Sequence, residues 1–279
     1  MKENLKCSAI VVILDAGHLA ESCLDSLRQM SLDEIIFVDG GSVDGTAEFL
    51  RNQPDIKLIE MPEEGVTSRL LAGAQFARND YIFLLCDDDV ISEQSVRVML
   101  EALREAPEID GLQFAIQAPR RNYWERGWST YFDLITKPGD RLAALGRPCI
   151  AKRANFLDLH DPPQAFGDDT WIHLQEEGKN RKYLVGNGST MRTCPNTAHL
   201  NAKQFRKYGE ADSAVSGNLR HHAKLLFHTA IRIAILRSFM ALSLGKPGAA
   251  TFIVWMGLLR SYYHLRAWFS SQNDHPRTS

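Results

Sequence analysis

The sequence predicts an α/β protein: a mostly parallel sheet flanked by helices, followed by an amphipathic helical extension. Three observations carry this expectation. Short apolar runs alternate with helix-period stretches through the first 120 residues, the pattern of β-α-β units. Acidic residues stand directly after two of those runs, at 39 and at 87–89. The chain then turns apolar and basic after about residue 200.

The elements follow in order. Apolar runs at 9–14, 35–38, 56–59, 81–85 and 112–116 read as buried strands. Helical patterns lie between them at about 18–30, 44–52, 66–78 and 92–106. Ser92 opens the last of these and Pro107 closes it. From 119 to 165 the pattern weakens into an aromatic, basic stretch around Arg120, Arg121, Trp124 and Trp128. Further strands are expected near 149–151 and 182–185, with a loop at 161–163 and a short helical segment over 168–178. Two apolar helices, about 219–244 and 249–269, are separated by Gly245-Lys246-Pro247-Gly248. The expected domains are therefore 1–217 (the α/β body), 218–270 (a helical pair) and 271–279 (a disordered tail).

Composition narrows the partners. Residues 1–199 hold 21 Lys/Arg against 31 Asp/Glu, whereas 200–270 hold 10 against 2. An acidic body with a basic, amphipathic tail suits a membrane surface better than nucleic acid, and no nucleic-acid motif is visible. The apolar core of the second helix, 249–259, is shorter than the roughly 20 residues that span a bilayer. Its Tyr262, Tyr263, Trp268 and Phe269 beside Arg260 and Arg266 make an interfacial composition; docking on the body or dimerisation is the alternative. Five scattered cysteines without a C-x-x-C argue for a reducing compartment and against a disulfide framework or structural zinc. No secretory signal is expected, and the location read from the sequence is cytoplasmic, peripheral on the inner face of the membrane. No P-loop, G-x-G-x-x-G, H-E-x-x-H or G-x-S-x-G is present.

The chemistry is expected at the strand tips. Asp87-Asp88-Asp89 follow the run 81–86, where adjacent carboxylates oppose each other's ionisation unless a cation offsets them. Hard oxygen ligands suit Mg²⁺ or Mn²⁺. An acidic turn before the helix at Ser92 is the alternative. Asp39-Gly40-Gly41-Ser42-Val43-Asp44-Gly45-Thr46 follows the run 35–38; Asp39 could accept hydrogen bonds from a nucleobase or ribose, and Asp44 could cap the next helix. Acids on two strands of one parallel sheet converge where open α/β sheets bind ligands.

These two elements, with Gly65, Arg69, Gly73 and Ala77 between them and Gly167-Asp168-Asp169 after them, resemble the inverting glycosyltransferases of the GT-A fold, of the large family-2 type. The resemblance covers roughly residues 8–200. It implies a Rossmann-like sheet, a UDP- or GDP-sugar donor, Mg²⁺ or Mn²⁺, and a saccharide or lipid-linked acceptor. It assigns Asp39 to the nucleotide base, Asp87 to the ribose and metal, and Asp89 to the metal. Arg69 stands at the family's middle arginine. Asp169 takes the part of the general base, with Asp168 in the preceding acidic position. His199 could supply a late metal contact or be structural. Arg147, Lys152 and Arg153 are candidates for phosphate or acceptor contact, with a solvated loop as the alternative.

Three places depart from the family. Leu14-Asp15-Ala16-Gly17 replaces the usual turn after the first strand, where Asp15 could substitute in nucleotide contact. Leu70 stands where an asparagine is usual, and 169–178 is about two residues short. The expected reaction is metal-dependent sugar transfer in polysaccharide or glycolipid synthesis. Transfer to polyprenyl phosphate, or a degenerate non-catalytic scaffold that binds nucleotide-sugar, are the alternatives. A nucleotidyltransferase would need a Gly-rich N-terminal loop and lysine that this chain lacks.

Overall fold

The apolar runs of the N-terminal half pair as strands, and the central ones, at 7–13 and 82–85, are buried on both faces. In the computed structural model, β1 (Cys7–Ile13), β2 (Glu34–Asp39), β3 (Lys57–Glu60) and β4 (Tyr81–Cys86) run parallel, with β1 between β2 and β4 and β3 beyond β2. The described residues are 5–62, 64–86, 89–160, 172, 173, 175, 176, 178–214 and 219–274, with side chains described to residue 270. By contact the chain divides into two compact units, 1–117 with 136–192 and 118–135 with 193–279.

In the first unit, successive β1 side chains go to opposite faces. Cys7, Ala9, Val11 and Ile13 join Ala20, Cys23, Leu24 and Leu27 of α1 (His18–Arg28), whose spacing places them on one helical stripe. Ile10 and Val12 join Leu70, Leu71 and Ala74 of α3 (Val66–Phe76) on the other face. Helix α2 (Thr46–Arg51) follows β2 and packs its Phe49 and Leu50 on the α1 face. Truncating a fully buried side chain such as Leu24 to alanine costs about 2–5 kcal/mol.

Past β4 the sheet becomes mixed. The run expected at 81–85 ends as a strand, but Asp89 starts a second short one, β5 (Asp89–Ile91). Next come α4 (Glu93–Glu105), β6 (Gly111–Gln117), β7 (Arg141–Leu142), β8 (Cys149–Lys152), α6 (Ala154–Leu157) and β9 (Tyr183–Arg192). Helix α5 belongs to the other unit and is described below. Ser92 caps α4 as expected, its Oγ accepting from the Ser95 N–H at 3.2 Å. The strand order is β3-β2-β1-β4-β8-β6-β9-β5, with β7 beside β9. Strand β8 is antiparallel to both β4 and β6, β6 is parallel to β9, and β5 is antiparallel to β9. The strand expected over 182–185 continues to Arg192, because β5 offers it a partner.

The second unit is helical: α5 (Tyr123–Ile135), α7 (Ala198–Ala214), α8 (Leu219–Phe227) continuing through 228–243, and α9 (Pro247–Asp274). Helix α9 packs against α7 and α5. Aromatic rings of Trp124, Trp128, Phe205, Phe252 and Trp255 make its core, and Trp128 Nε1 donates to Asn201 Oδ1 at 2.8 Å. A buried fork joins Arg260 to Asp212 at 2.6 and 2.8 Å. Residues 228–237 are π-helical rather than α-helical. Thr229 Oγ1 donates back toward the Leu225 and Leu226 carbonyls at 3.1 and 3.3 Å, the kind of side-chain insertion that widens a turn. Lys224, His228 and Arg232, four apart in sequence, therefore do not line up as one α-helical stripe across this stretch. Helix α9 runs to Asp274, into the stretch expected to be disordered.

Candidate functional site

The loops after β1 and β2 are stitched to each other. Asp15 has a left-handed backbone (φ 50°), a region few non-glycine residues other than Asn and Asp visit readily. That turn lets its N–H donate to Ser42 Oγ at 2.8 Å while its Oδ1 accepts the Val43 N–H at 2.9 Å. Gly17 N–H donates to Thr46 Oγ1 at 2.9 Å, and Gly40 N–H to the Ile13 carbonyl at 3.0 Å. Asp39 is fully buried. Its Oδ2 accepts the Gly41 and Ser42 N–H groups at 2.9 Å each, and its Oδ1 accepts the Ser42 hydroxyl. Asp39 thus builds the turn of its own loop. Asp44 accepts the Thr46 N–H at 3.0 Å at the first residue of α2, and its hydrogen bonds with Thr46 hold its carboxyl below the usual range.

Arg69 reaches this junction from α3. It is 5% exposed; Nη1 donates to the Ile13 carbonyl at 2.6 Å, and Nε is buried with no hydrogen-bond partner among the described residues. The guanidinium lies over Gly40, where a Cβ would meet Nη1 at 2.2 Å, so only glycine leaves room for it. Burial pulls the Arg69 pKa down; neighbouring Asp39 opposes the shift and neighbouring Arg147 adds to it. Asp39 and Arg147 are thus the charged groups that act on Arg69.

Asp89 meets a third arginine. It stands opposite Arg192 in the β5–β9 ladder. Arg192 Nε donates to Oδ1 and Nη2 to Oδ2, each at 3.0 Å, while Nη2 also donates to the Arg147 carbonyl at 2.7 Å. The Asp89 side chain has no solvent exposure, and Thr190 Oγ1 lies 3.4 Å from Oδ1. Both carboxylate oxygens are thus committed to a planar fork. Among the described residues, no three His, Cys, Asp or Glu side chains gather where they could hold a metal ion. The donor set around Asp89 does not fit a divalent cation in this geometry.

The remaining expected residues are dispersed. Asp87, Asp168 and Asp169 lie outside the described residues, as do Asp88, Gly167 and the loop 161–163. His199 is exposed on the first turn of α7, in the second unit. Lys152 is spent on structure, bonding Asp110 and the Pro107 carbonyl at 3.0 and 2.9 Å. Arg153 donates to the Ala74 carbonyl at 3.3 Å. The carbonyl of Arg147, the third of that basic group, accepts from Arg192, and its charge adds to the lowering of the Arg69 pKa. Arg192 was invisible to spacing arguments, since its partner lies 103 residues away in sequence.

Open α/β sheets bind ligands at the carboxyl ends of their strands, where Asp39 and Asp89 and the buried Arg69 stand. Residues 8–153 match the description Glycosyl transferase family 2, and the chain belongs to that family. Its fold is the GT-A fold. The uncharacterized glycosyltransferase EpsJ of Bacillus subtilis (strain 168) is 30% identical over 138 residues, 47% of this chain and 40% of EpsJ. The matched stretches span less than half the length of the curated relatives. Among solved structures, the mannosyltransferase PcManGT of Pyrobaculum calidifontis, in complex with GDP-Man and Mn²⁺, aligns with a TM-score of 0.64 at 14% identity, covering 96% of this chain and 88% of that one. Residues 1–349 of S. aureus TarS in complex with UDP-GlcNAc align with a TM-score of 0.55 at 12% identity, covering 98% and 93%.

Proposed function

We propose that this glycosyltransferase moves a sugar from a UDP- or GDP-sugar to a hydroxyl acceptor with inversion at the anomeric carbon. The observation that carries the reading is the junction of the β1 and β2 loops with Arg69: a rigid, glycine-floored corner at the strand ends, with buried positive charge beside it. Nucleoside diphosphates suit such a corner, because backbone can approach the ligand closely and guanidinium groups match phosphate geometry. In the reaction the bond from the anomeric carbon to the diphosphate oxygen breaks, and its electron pair leaves with the nucleoside diphosphate. The acceptor oxygen bonds to that carbon from the opposite face, through an oxocarbenium-like transition state. Its proton goes to a carboxylate, the part the family resemblance gives to Asp169 with Asp168 beside it. Asp15 and Asp39 shape the nucleotide end by fixing the two loops. No step is drawn through Mg²⁺ or Mn²⁺, since Asp89 is held by Arg192; Asp87 and His199 remain assigned to a metal by resemblance alone.

The acceptor is read as a lipid-linked saccharide of polysaccharide or glycolipid synthesis, reached at the cytoplasmic membrane face. One helical stretch, Leu219–Ser243, is 25 residues long and apolar enough by length and composition to cross a membrane. It exposes Leu219, Phe227, Ile235, Leu236, Phe239 and Leu242. Such a surface with Lys224 and Arg232 beside it suits the headgroup boundary. A thermal-shift panel of UDP-, GDP- and dTDP-sugars tests the donor reading, with one nucleotide expected to stabilise the protein. Asp169→Asn is expected to lower transfer by about 100-fold or more. Stabilisation by none of the nucleotide-sugars, or full transfer by Asp169→Asn, overturns the reading.

A further inference from the structure

The helical stretch 219–243 is inside out for a helix in water. Its buried residues are His222, Thr229, Ile233, Ala234, Ser238 and Ala241, and of these Ile233 alone is a large hydrophobe. Seven large apolar side chains of the same stretch are exposed, among them Phe227 at 59% and Phe239 at 65%. A helix of a water-soluble unit buries its large apolar side chains and leaves its polar ones outside. Hydrocarbon reverses the preference: helices there meet through small residues and hydrogen bonds and turn large apolar side chains outward.

The seam with α9 has that composition. Gly257 lets the two helices approach so closely that a Cβ there would meet the Ala234 Cβ at 2.7 Å and the Thr229 carbonyl at 2.8 Å. Thr229 Oγ1 and Ser261 Oγ are 2.8 Å apart, and His222 Nδ1 lies 2.9 Å from His264 Nε2. On its own outer side α9 exposes Val254, Leu258, Tyr262 and Phe269, spaced by four, four and seven residues as one helical stripe. Charge names the kind of surface. Between Asp212 and Asp274 the sequence has seven Lys/Arg and no Asp or Glu, which favours an anionic face. Arg232 stands at the middle of 219–243, where a helix crossing the bilayer would carry it to the midplane at high cost.

We propose that the helical pair 219–270 is immersed in one leaflet of an anionic bilayer, with the outward apolar side chains of both helices among the acyl chains and the seam between them closed. The inference rests on the membrane-face reading above and deepens it: burial in hydrocarbon holds the chain there, charge assists, and α9 shares the contact.

Flotation of the full chain with vesicles of phosphatidylcholine and phosphatidylglycerol in equal parts tests the proposal, in dilute buffer and in about 1 M NaCl, where the screening length is about 3 Å. Binding is expected in both buffers, weakened by salt less than about threefold. Release by salt overturns the immersion and leaves the membrane-face reading standing as an electrostatic contact. No binding in either buffer overturns both, with the nucleotide-sugar reading untouched. Leu258→Asp with Phe269→Asp, checked for folding by circular dichroism, is expected to weaken binding in salt about tenfold or more. Phe76→Asp, exposed on α3 in the other unit, is expected to leave it unchanged. A Leu258→Asp, Phe269→Asp protein that binds as tightly as the wild type overturns the part given to α9. Light scattering without lipid addresses a second copy of this chain as the occupant. A monomer is expected, and a dimer that Leu258→Asp dissociates overturns the proposal.

Discussion

Gly40→Ala puts a single methyl group against the guanidinium of Arg69. The added Cβ would lie 2.2 Å from Nη1, 2.7 Å from Cζ and 3.3 Å from Nη2. To reach ordinary contact near 3.4 Å, the guanidinium must retreat by roughly 1 Å, and its 2.6 Å hydrogen bond to the Ile13 carbonyl cannot survive that shift. A hydrogen bond to a charged group is worth about 1.5–3 kcal/mol, which lowers the melting temperature of a unit this size by about 5 °C. The same retreat takes the guanidinium away from the corner between the β1 and β2 loops, so affinity for UDP or GDP is expected to fall about tenfold. Gly139→Ala separates the two effects. Gly139 has φ 90° with nothing within 4 Å of its Cβ position, so alanine there carries only a backbone penalty of about 1–2 kcal/mol. Differential scanning calorimetry and nucleotide titration on both variants decide the matter. Both proteins should lose stability, and only Gly40→Ala should lose nucleotide affinity. Equal affinity in the two variants would refute the reasoning.

The second unit offers three further tests. Asp212→Asn strips the charge partner from Arg260 inside a buried fork and is expected to destabilise by about 3–5 kcal/mol, read from the urea midpoint. Burial lowers the His264 pKa from 6.5 to about 4, with Asp212 opposing and His222, Arg260 and His221 adding to the shift. Between those values the unfolded chain takes a proton that the folded chain refuses, so stability falls as pH drops from 6.5 toward 4. The slope is about 1.4 kcal/mol per pH unit and the total about 3 kcal/mol, with no contribution above pH 7. His264→Gln should flatten that part of the pH profile, and an unchanged profile would count against it. Finally, Phe239→Asp with Leu242→Asp is expected to cut sedimentation with anionic lipid vesicles several-fold; unchanged sedimentation removes the membrane role given to this helix.

What could be read from the sequence follows the range of the interactions. Strands β1 and β4 were legible because burial on both faces leaves uninterrupted apolar runs, and α4 because Ser92 and Pro107 mark its ends. Helix α5 carries Trp124, Trp128, Tyr131 and Phe132 at helical spacing, but two arginines before it and polar neighbours within it mask the period. Strand β5 is three residues long and hidden behind three aspartates. Asp39 was legible as a strand-tip acid, yet its turn-building part depends on Gly41 and Ser42 N–H directions that composition does not carry. Arg192 could not be found at all without the ladder that brings β9 to β5. The π-helical turn depends on where Thr229 aims its hydroxyl, which no periodicity reports.

The aromatic core of the helical unit has a practical consequence. Of the five tryptophans in the sequence, Trp124, Trp128, Trp255 and Trp268 belong to that unit. Intrinsic fluorescence is therefore a nearly selective reporter of the helices, whereas far-ultraviolet dichroism sees both units. Denaturation followed by the two signals together will show whether the catalytic sheet and the helical unit unfold in one transition or two.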